Sequence, residues 1–294
     1  KKMIKNKGIG LSKIIFAVAA ALIFMSGMKV SAARIANETD TTKIMTLVRD
    51  NFSPGGDPGM LAGKIAESLI GANRGEVTME DSIGTLLIRT DTFDDMGFLN
   101  MVGAIARLST SPGHKRVNEF AKELENISFR RGEDKGFPTR MIYLSDWVVD
   151  NKARNNVKEL TESYSDQFRT KSLEKVTRTR DKYAALKDSA VFEDQKMVEM
   201  GFRTHKVPHL KREQAAYKDV VNEMKDGDII VLLTPDPATD ALEIGFVRKR
   251  EDGFHFIHPS YETGTVIEEK DTLDRYLKRN AKRTYGWRWL RLAK

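Results

Sequence analysis

The chain has 294 residues, with 49 lysines and arginines against 42 aspartates and glutamates, and no cysteine. A chain this long can bury a full core, and the lack of thiols excludes disulfides, thiolate catalysis and a lipid-modified cysteine. Six lysines and no acids fall in residues 1–32, which leaves 43 basic and 42 acidic residues beyond them. No concentrated basic surface then speaks for a nucleic-acid partner.

The first element in chain order is a leader. Lys1, Lys2, Lys5, Lys7 and Lys13 precede an apolar run from Ile14 to Met25, and Val30-Ser31-Ala32 offers a small-x-small cleavage site. That three-part plan predicts a signal peptide over residues 1–32, cut after Ala32 or Ala33. Twelve apolar residues are too few to span about 30 Å of hydrocarbon, so no stable membrane span is expected after cleavage. The mature protein is expected to be periplasmic or secreted, as one domain over 33–294.

Residues 33–60 read as a loose entry with a turn at Ser53-Pro54-Gly55-Gly56-Asp57-Pro58-Gly59. A short helix is predicted over 59–71 and an extended segment over Thr85–Arg89. The spacing of Phe98, Met101, Val102, Ile105 and Leu108 is helical, with Asp94 or Asp95 as the N-cap. A second helix, about 115–127, places Val117, Phe120, Ala121 and Leu124 on one face. The stretch 152–222 is highly charged and reads as an inserted set of solvated helices. From Asp228 onward the texture changes to strands: Asp228–Thr234, Leu242–Lys249, Phe254–His258, Thr265–Ile267 and Gly286–Leu292. Gly253 closes a hairpin after Glu251-Asp252. Helices first and a mostly antiparallel sheet last predict an α+β fold.

Three segments carry a family resemblance over roughly residues 60–292. The first is Phe93-Asp94-Asp95-Met96-Gly97-Phe98-Leu99-Asn100. The second is Arg131-Gly132, then Arg140-Met141-Ile142-Tyr143-Leu144-Ser145-Asp146-Trp147 and Asn151. The third runs from Gly227-Asp228-Ile229-Ile230 through Asp240-Ala241-Leu242-Glu243-Ile244-Gly245-Phe246 to Ile257-His258-Pro259-Ser260. In order and spacing they resemble the bacterial N-acetylmuramoyl-L-alanine amidase-like cell-wall hydrolases, related to NlpC-type peptidases with a papain-like core. The matching blocks there run Phe-Asp-Cys-hydrophobic-Thr-Phe-hydrophobic-Glu, Arg-Leu-His-Tyr with Asp-Trp and Asn, and Asp-Ile-Ser-His-Val-Gly.

The resemblance implies a peptidoglycan fragment or cell-wall peptide as the ligand, and places the catalytic positions at Asp95, Glu243 and His258. Asp95 stands where the family has its cysteine, and Glu243 where it has a histidine base. A cysteine at a helix N-terminus is activated by the dipole and a nearby imidazolium. A carboxylate suits the dipole but attacks amides poorly, and a glutamate does not replace a neutral imidazole near pH 7. Tyr143, Asp146, Trp147, Arg140 and Ser260 are expected to bind ligand or line the cleft, with the indole of Trp147 offering a flat face. The favoured expectation is a catalytically degenerate recognition protein with no cofactor and no bound metal, and a protein partner is possible. The alternative is an active, divergent amidase or peptidase. In it Asp95, Glu243 and His258 converge, a donor set that a divalent cation could take.

Overall fold

A computed structural model describes residues 34–35, 37–75 and 87–294 of the chain. The expected signal peptide over 1–32 lies outside the described residues, as do Thr85 and Leu86 of the expected extended segment. Among the described residues, no helix is long and apolar enough to cross a membrane.

The expected loose entry instead begins with a helix, α1 (Glu38–Asp50). Asn37 caps it by accepting the Asp40 N–H at 2.9 Å, and Ile44, Leu47 and Val48 form its buried stripe. Three apolar anchors in a polar run are a thin signal. The helix gains a tertiary tie: buried Asp40 accepts both the N–H (2.7 Å) and the hydroxyl (2.6 Å) of Thr90. Helix α2 (Pro58–Glu67) starts on an Asp57 cap with proline at its first position. Two short parallel ladders follow, β1 (Arg34–Ile35) with β3 (Leu87–Ile88), and β2 (Asn73–Arg74) with β4 (Thr92–Phe93). Helix α3 (Asp95–Thr110) is capped by Asp94, whose carboxylate accepts the Gly97 N–H at 2.6 Å. Helices α4 (Val117–Ser128) and α5 (Leu144–Ala153) complete the N-terminal layer.

The segment 152–222 is only partly helical, a correction to the all-helical expectation. It contributes strand β5 (Val157–Glu159), the ribbon β6 (Phe168–Lys171) with β7 (His205–Pro208), and helices α6 (Lys175–Arg178), α7 (Ser189–Gly201) and α8 (Lys218–Glu223). Its charge pattern hid the strands because β6 exposes Phe168, Arg169 and Thr170 in succession and buries only a charged residue, Lys171. The Lys171 ammonium donates to the carbonyls of Thr234 (2.5 Å) and Asp236. That pins the ribbon to the loop leading into the cleft.

The main sheet adds β8 (Ile229–Leu233), β9 (Ala241–Arg250), β10 (Gly253–Pro259), β11 (Val266–Thr272) and β12 (Gly286–Leu292). Its spatial order is β11-β10-β9-β8-β12-β5, and every neighbouring pair is antiparallel. Arg250 pairs with Gly253 across the two-residue Glu251-Asp252 turn, and Gly253 takes a φ of 146°, a region side chains avoid. Both faces of the sheet are covered, so β8 reads as an unbroken apolar run. Ile229, Val231 and Leu233 pack with Ile244, Phe246, Ile257 and the N-terminal helices. Ile230 and Leu232 pack with Phe256, Trp287, Trp289, Val220 of α8, and Tyr276 and Leu277 of α9 (Leu273–Arg279). The protein is thus α+β, helices first and an antiparallel sheet last.

Candidate functional site

A cleft of about 200 Å³ opens at the N-terminus of α3, between α4, α5, α6 and the start of β9. Asp94, Asp95, Asn100, Arg140, Tyr143 and Asp240 are among its lining residues. The turn Thr92-Phe93-Asp94 delivers the two adjacent aspartates. Asp94 is spent as the cap, and Asp95 is the first helical residue.

The Asp95 carboxylate is held from two sides. Oδ1 accepts the Ile244 N–H at 3.1 Å, and Oδ2 accepts from Arg74 Nη2 at 3.0 Å. The same guanidinium donates to the Pro259 carbonyl at 3.4 Å and lies 3.2 Å above the Tyr261 ring. Burial pushes the Asp95 carboxyl up to about 6, against the pull of Arg74 and the Ile244 N–H. Asp94 pushes it further up, and His258 pulls it down through space. Burial raises Asp94 as well, opposed by the Gly97 N–H and by Arg140 and Arg74.

Glu243 and His258 do not join Asp95, which corrects the expected convergence of all three. Ile244, whose N–H meets Asp95, turns its side chain toward the helices, so Glu243 beside it points to the opposite face. There Glu243 accepts from the Tyr276 hydroxyl at 2.6 Å and from Arg283 at 2.9 Å. His258 stacks on Phe256 at 4.6 Å, with Nε2 3.1 Å from Glu269 and Nδ1 3.9 Å from Glu243. Arg279 donates to the other Glu269 oxygen at 2.7 Å. Gly245 makes room for this stack: a Cβ there would sit 2.1 Å from the Ile257 carbonyl and 2.8 Å from the His258 Cβ. Among the described residues, no group of three or more His, Asp or Glu side chains could hold a metal ion.

The other expected residues divide. Arg140 and Tyr143 line the cleft. The Tyr143 hydroxyl is already engaged, donating to Glu199 at 2.6 Å and accepting the Val176 N–H at 2.8 Å. Burial and the Glu199 carboxylate together hold that phenol well above its usual range. Asp146 is buried in a two-pronged pair with Arg130 at 3.2 and 2.5 Å. Trp147 is fully buried, and its Nε1 donates to Asn100 Oδ1 at 2.9 Å. Its indole supports the cleft floor and offers no face to a ligand, contrary to expectation. Ser260 lies outside the cleft and accepts the N–H groups of Glu262 (3.2 Å) and Thr263 (3.4 Å), shaping the turn that presents Tyr261.

Sequence reasoning missed Arg74, Asn100, Ser128, Asp240 and Tyr261 as site residues. Arg74 carries no local signal, because a two-residue parallel ladder brings it to Asp95. Asn100 carried one: it is an uncharged polar side chain buried in the middle of an apolar helix face. Asp240 accepts the Ser145 N–H at 2.5 Å and so ties the start of β9 to the first turn of α5.

The site is thus a polar cleft at a helix N-terminus beside an antiparallel sheet, within an α+β fold. The chain belongs to the N-acetylmuramoyl-L-alanine amidase-like family, whose model matches residues 66–284. It is similar to an N-acetylmuramoyl-L-alanine amidase from Bacteroides uniformis ATCC 8492, with a TM-score of 0.72 and 23% identity over 81% of this chain and 100% of that one. A Legionella pneumophila protein of the DUF1460 family follows at a TM-score of 0.65 and 15% identity, covering 87% of this chain and 95% of that one. At these identities the likeness is one of fold. The chain matches no protein of curated function.

Proposed function

We propose that this is an exported, catalytically degenerate member of the family that recognises a cell-wall peptide or muropeptide in the cleft beside Asp95. The observation that carries the reading is the state of Asp95. At the position where the family resemblance puts a thiolate, this chain has a carboxylate clamped between Arg74 and the Ile244 N–H. A carboxylate so held is a weak nucleophile toward an amide. Glu243, at the position of the base, is engaged with Tyr276 and Arg283 on the other face of the sheet. The lysine leader, the apolar run and Val30-Ser31-Ala32 support export to the periplasm or beyond.

A second reading rests on one feature. A carboxyl near 6 is poised for general acid–base work at neutral pH, which would suit a divergent amidase centred on Asp95. Incubating the protein with muropeptides separates the two, following binding by calorimetry and products by chromatography. Weak binding without product is expected. Sustained product release that disappears in Asp95→Asn would establish the enzyme instead.

A further inference from the structure

The cleft floor holds two polar groups that the fold leaves unused. Asn100 sits on α3 one and a half turns below Asp95, and its Oδ1 is taken by the Trp147 indole. An indole N–H only donates, so this bond decides which end of the amide is which. The Nδ2 end makes no hydrogen bond among the described residues, and Asn100 lines the cleft. Ser128, the last residue of α4, lines the same floor. It is 2% exposed, and its Oγ is buried without a partner. A buried hydroxyl left unpaired costs free energy that a ligand group can recover.

The family pattern has a glutamate where this chain has Asn100. A glutamate only accepts hydrogen bonds, whereas an asparagine with its oxygen occupied presents a donor. The cleft walls bring carboxylates from Asp94, Asp95 and Asp240 against the cations Arg140 and Lys175, so an anionic ligand group gains no clear field at the floor. A neutral group that accepts on one side and donates on the other fits both free atoms.

We propose that Asn100 and Ser128 form a subsite for a secondary amide of the ligand, with Asn100 Nδ2 donating to its carbonyl and Ser128 Oγ accepting its N–H. The inference rests on the recognition reading above and names the group that is recognised. The selectivity follows from burial: a site built to pair an N–H rejects an ester, because the ester leaves the buried acceptor unpaired.

The test is calorimetric titration of the full chain with N-acetylmuramyl dipeptide and with analogues in which one amide N–H at a time becomes an ester oxygen. One ester analogue is expected to bind about tenfold more weakly than the parent. Ser128→Ala should erase that discrimination without lowering the melting temperature, and Asn100→Asp should weaken the parent itself by roughly tenfold. Equal binding of the parent and every ester, or discrimination that survives in Ser128→Ala, overturns the subsite and leaves recognition standing. The wild-type comparison needs no variant, so a misfolded mutant does not shelter the claim. Failure of every probe to bind removes the recognition reading, and the subsite with it.

Discussion

Adjacent aspartates at the head of α3 do different work, and pH separates them. Asp94 spends its carboxylate on the Gly97 N–H, while Asp95 faces the cleft with its carboxyl lifted from 3.8 to about 6. A carboxyl raised in the folded state binds its proton more tightly there than in the unfolded chain. Its ionisation penalty is therefore full above about pH 6, and is relieved as pH falls toward the unfolded value. Asp95→Asn lacks this proton-linked contribution. Urea melts at pH 7.5 and 5 should show the wild type gaining stability relative to Asp95→Asn on acidification; a difference independent of pH would refute the buried, proton-hungry carboxyl. Glu269 behaves in the opposite sense. Burial pushes its carboxyl up, but His258 and Arg279 hold it below the usual range. Its contribution is present at neutral pH and fades as pH falls through the folded value, so Glu269→Gln should flatten the acid limb of the stability profile. The resemblance marked residue 95 as the centre, but Arg74, its partner 21 residues away, was invisible.

Elements position the cleft through a few buried polar ties. The Tyr143 hydroxyl bridges Glu199 of α7 and the Val176 N–H of α6, and Glu199 also accepts from the Thr177 N–H at 3.1 Å and from its hydroxyl. Tyr143→Phe leaves the Val176 N–H unpaired and strips a donor from a buried carboxylate. The expected cost is about 1–3 kcal/mol by denaturant unfolding, with faster amide exchange in residues 175–178. On the other wall, Asp240 satisfies the Ser145 N–H in the first turn of α5. Asp240→Ala should cost about 1 kcal/mol, the scale of a lost helix cap, and should also weaken ligand binding because α5 carries the tryptophan beneath Asn100. Strands β8, β9, β10 and β12 and helices α3 and α4 were legible because their apolar spacing is strong. Helix α1 and strands β5 to β7 were not: their apolar anchors are few, and contacts remote in sequence hold them.

For the whole molecule, the separation of Asp95 from Glu243 and His258 by the sheet carries its own prediction. A metal that bound all three would raise the melting temperature by mass action. Zinc, calcium and chelator should therefore leave Tm unchanged in the wild type and in Asp95→Asn with Glu243→Gln; a shift in the wild type lost in the double variant would contradict the two-faced arrangement. The sequence by itself determined the α+β class, the helix capped at Asp94 or Asp95 and running to about Leu108, the late antiparallel strands, the absence of thiol chemistry and the family. Those are properties of spacing, composition and local motif, which neighbouring residues decide among themselves. Only the tertiary structure decided which motif residues meet. The two-residue alternation along β9 sends Glu243 away from Asp95, a short parallel ladder brings Arg74 to it, and the Trp147 indole turns Asn100 toward the cleft. Each of these depends on packing between segments distant in the chain, where a shift of one residue in register reverses the face a side chain occupies.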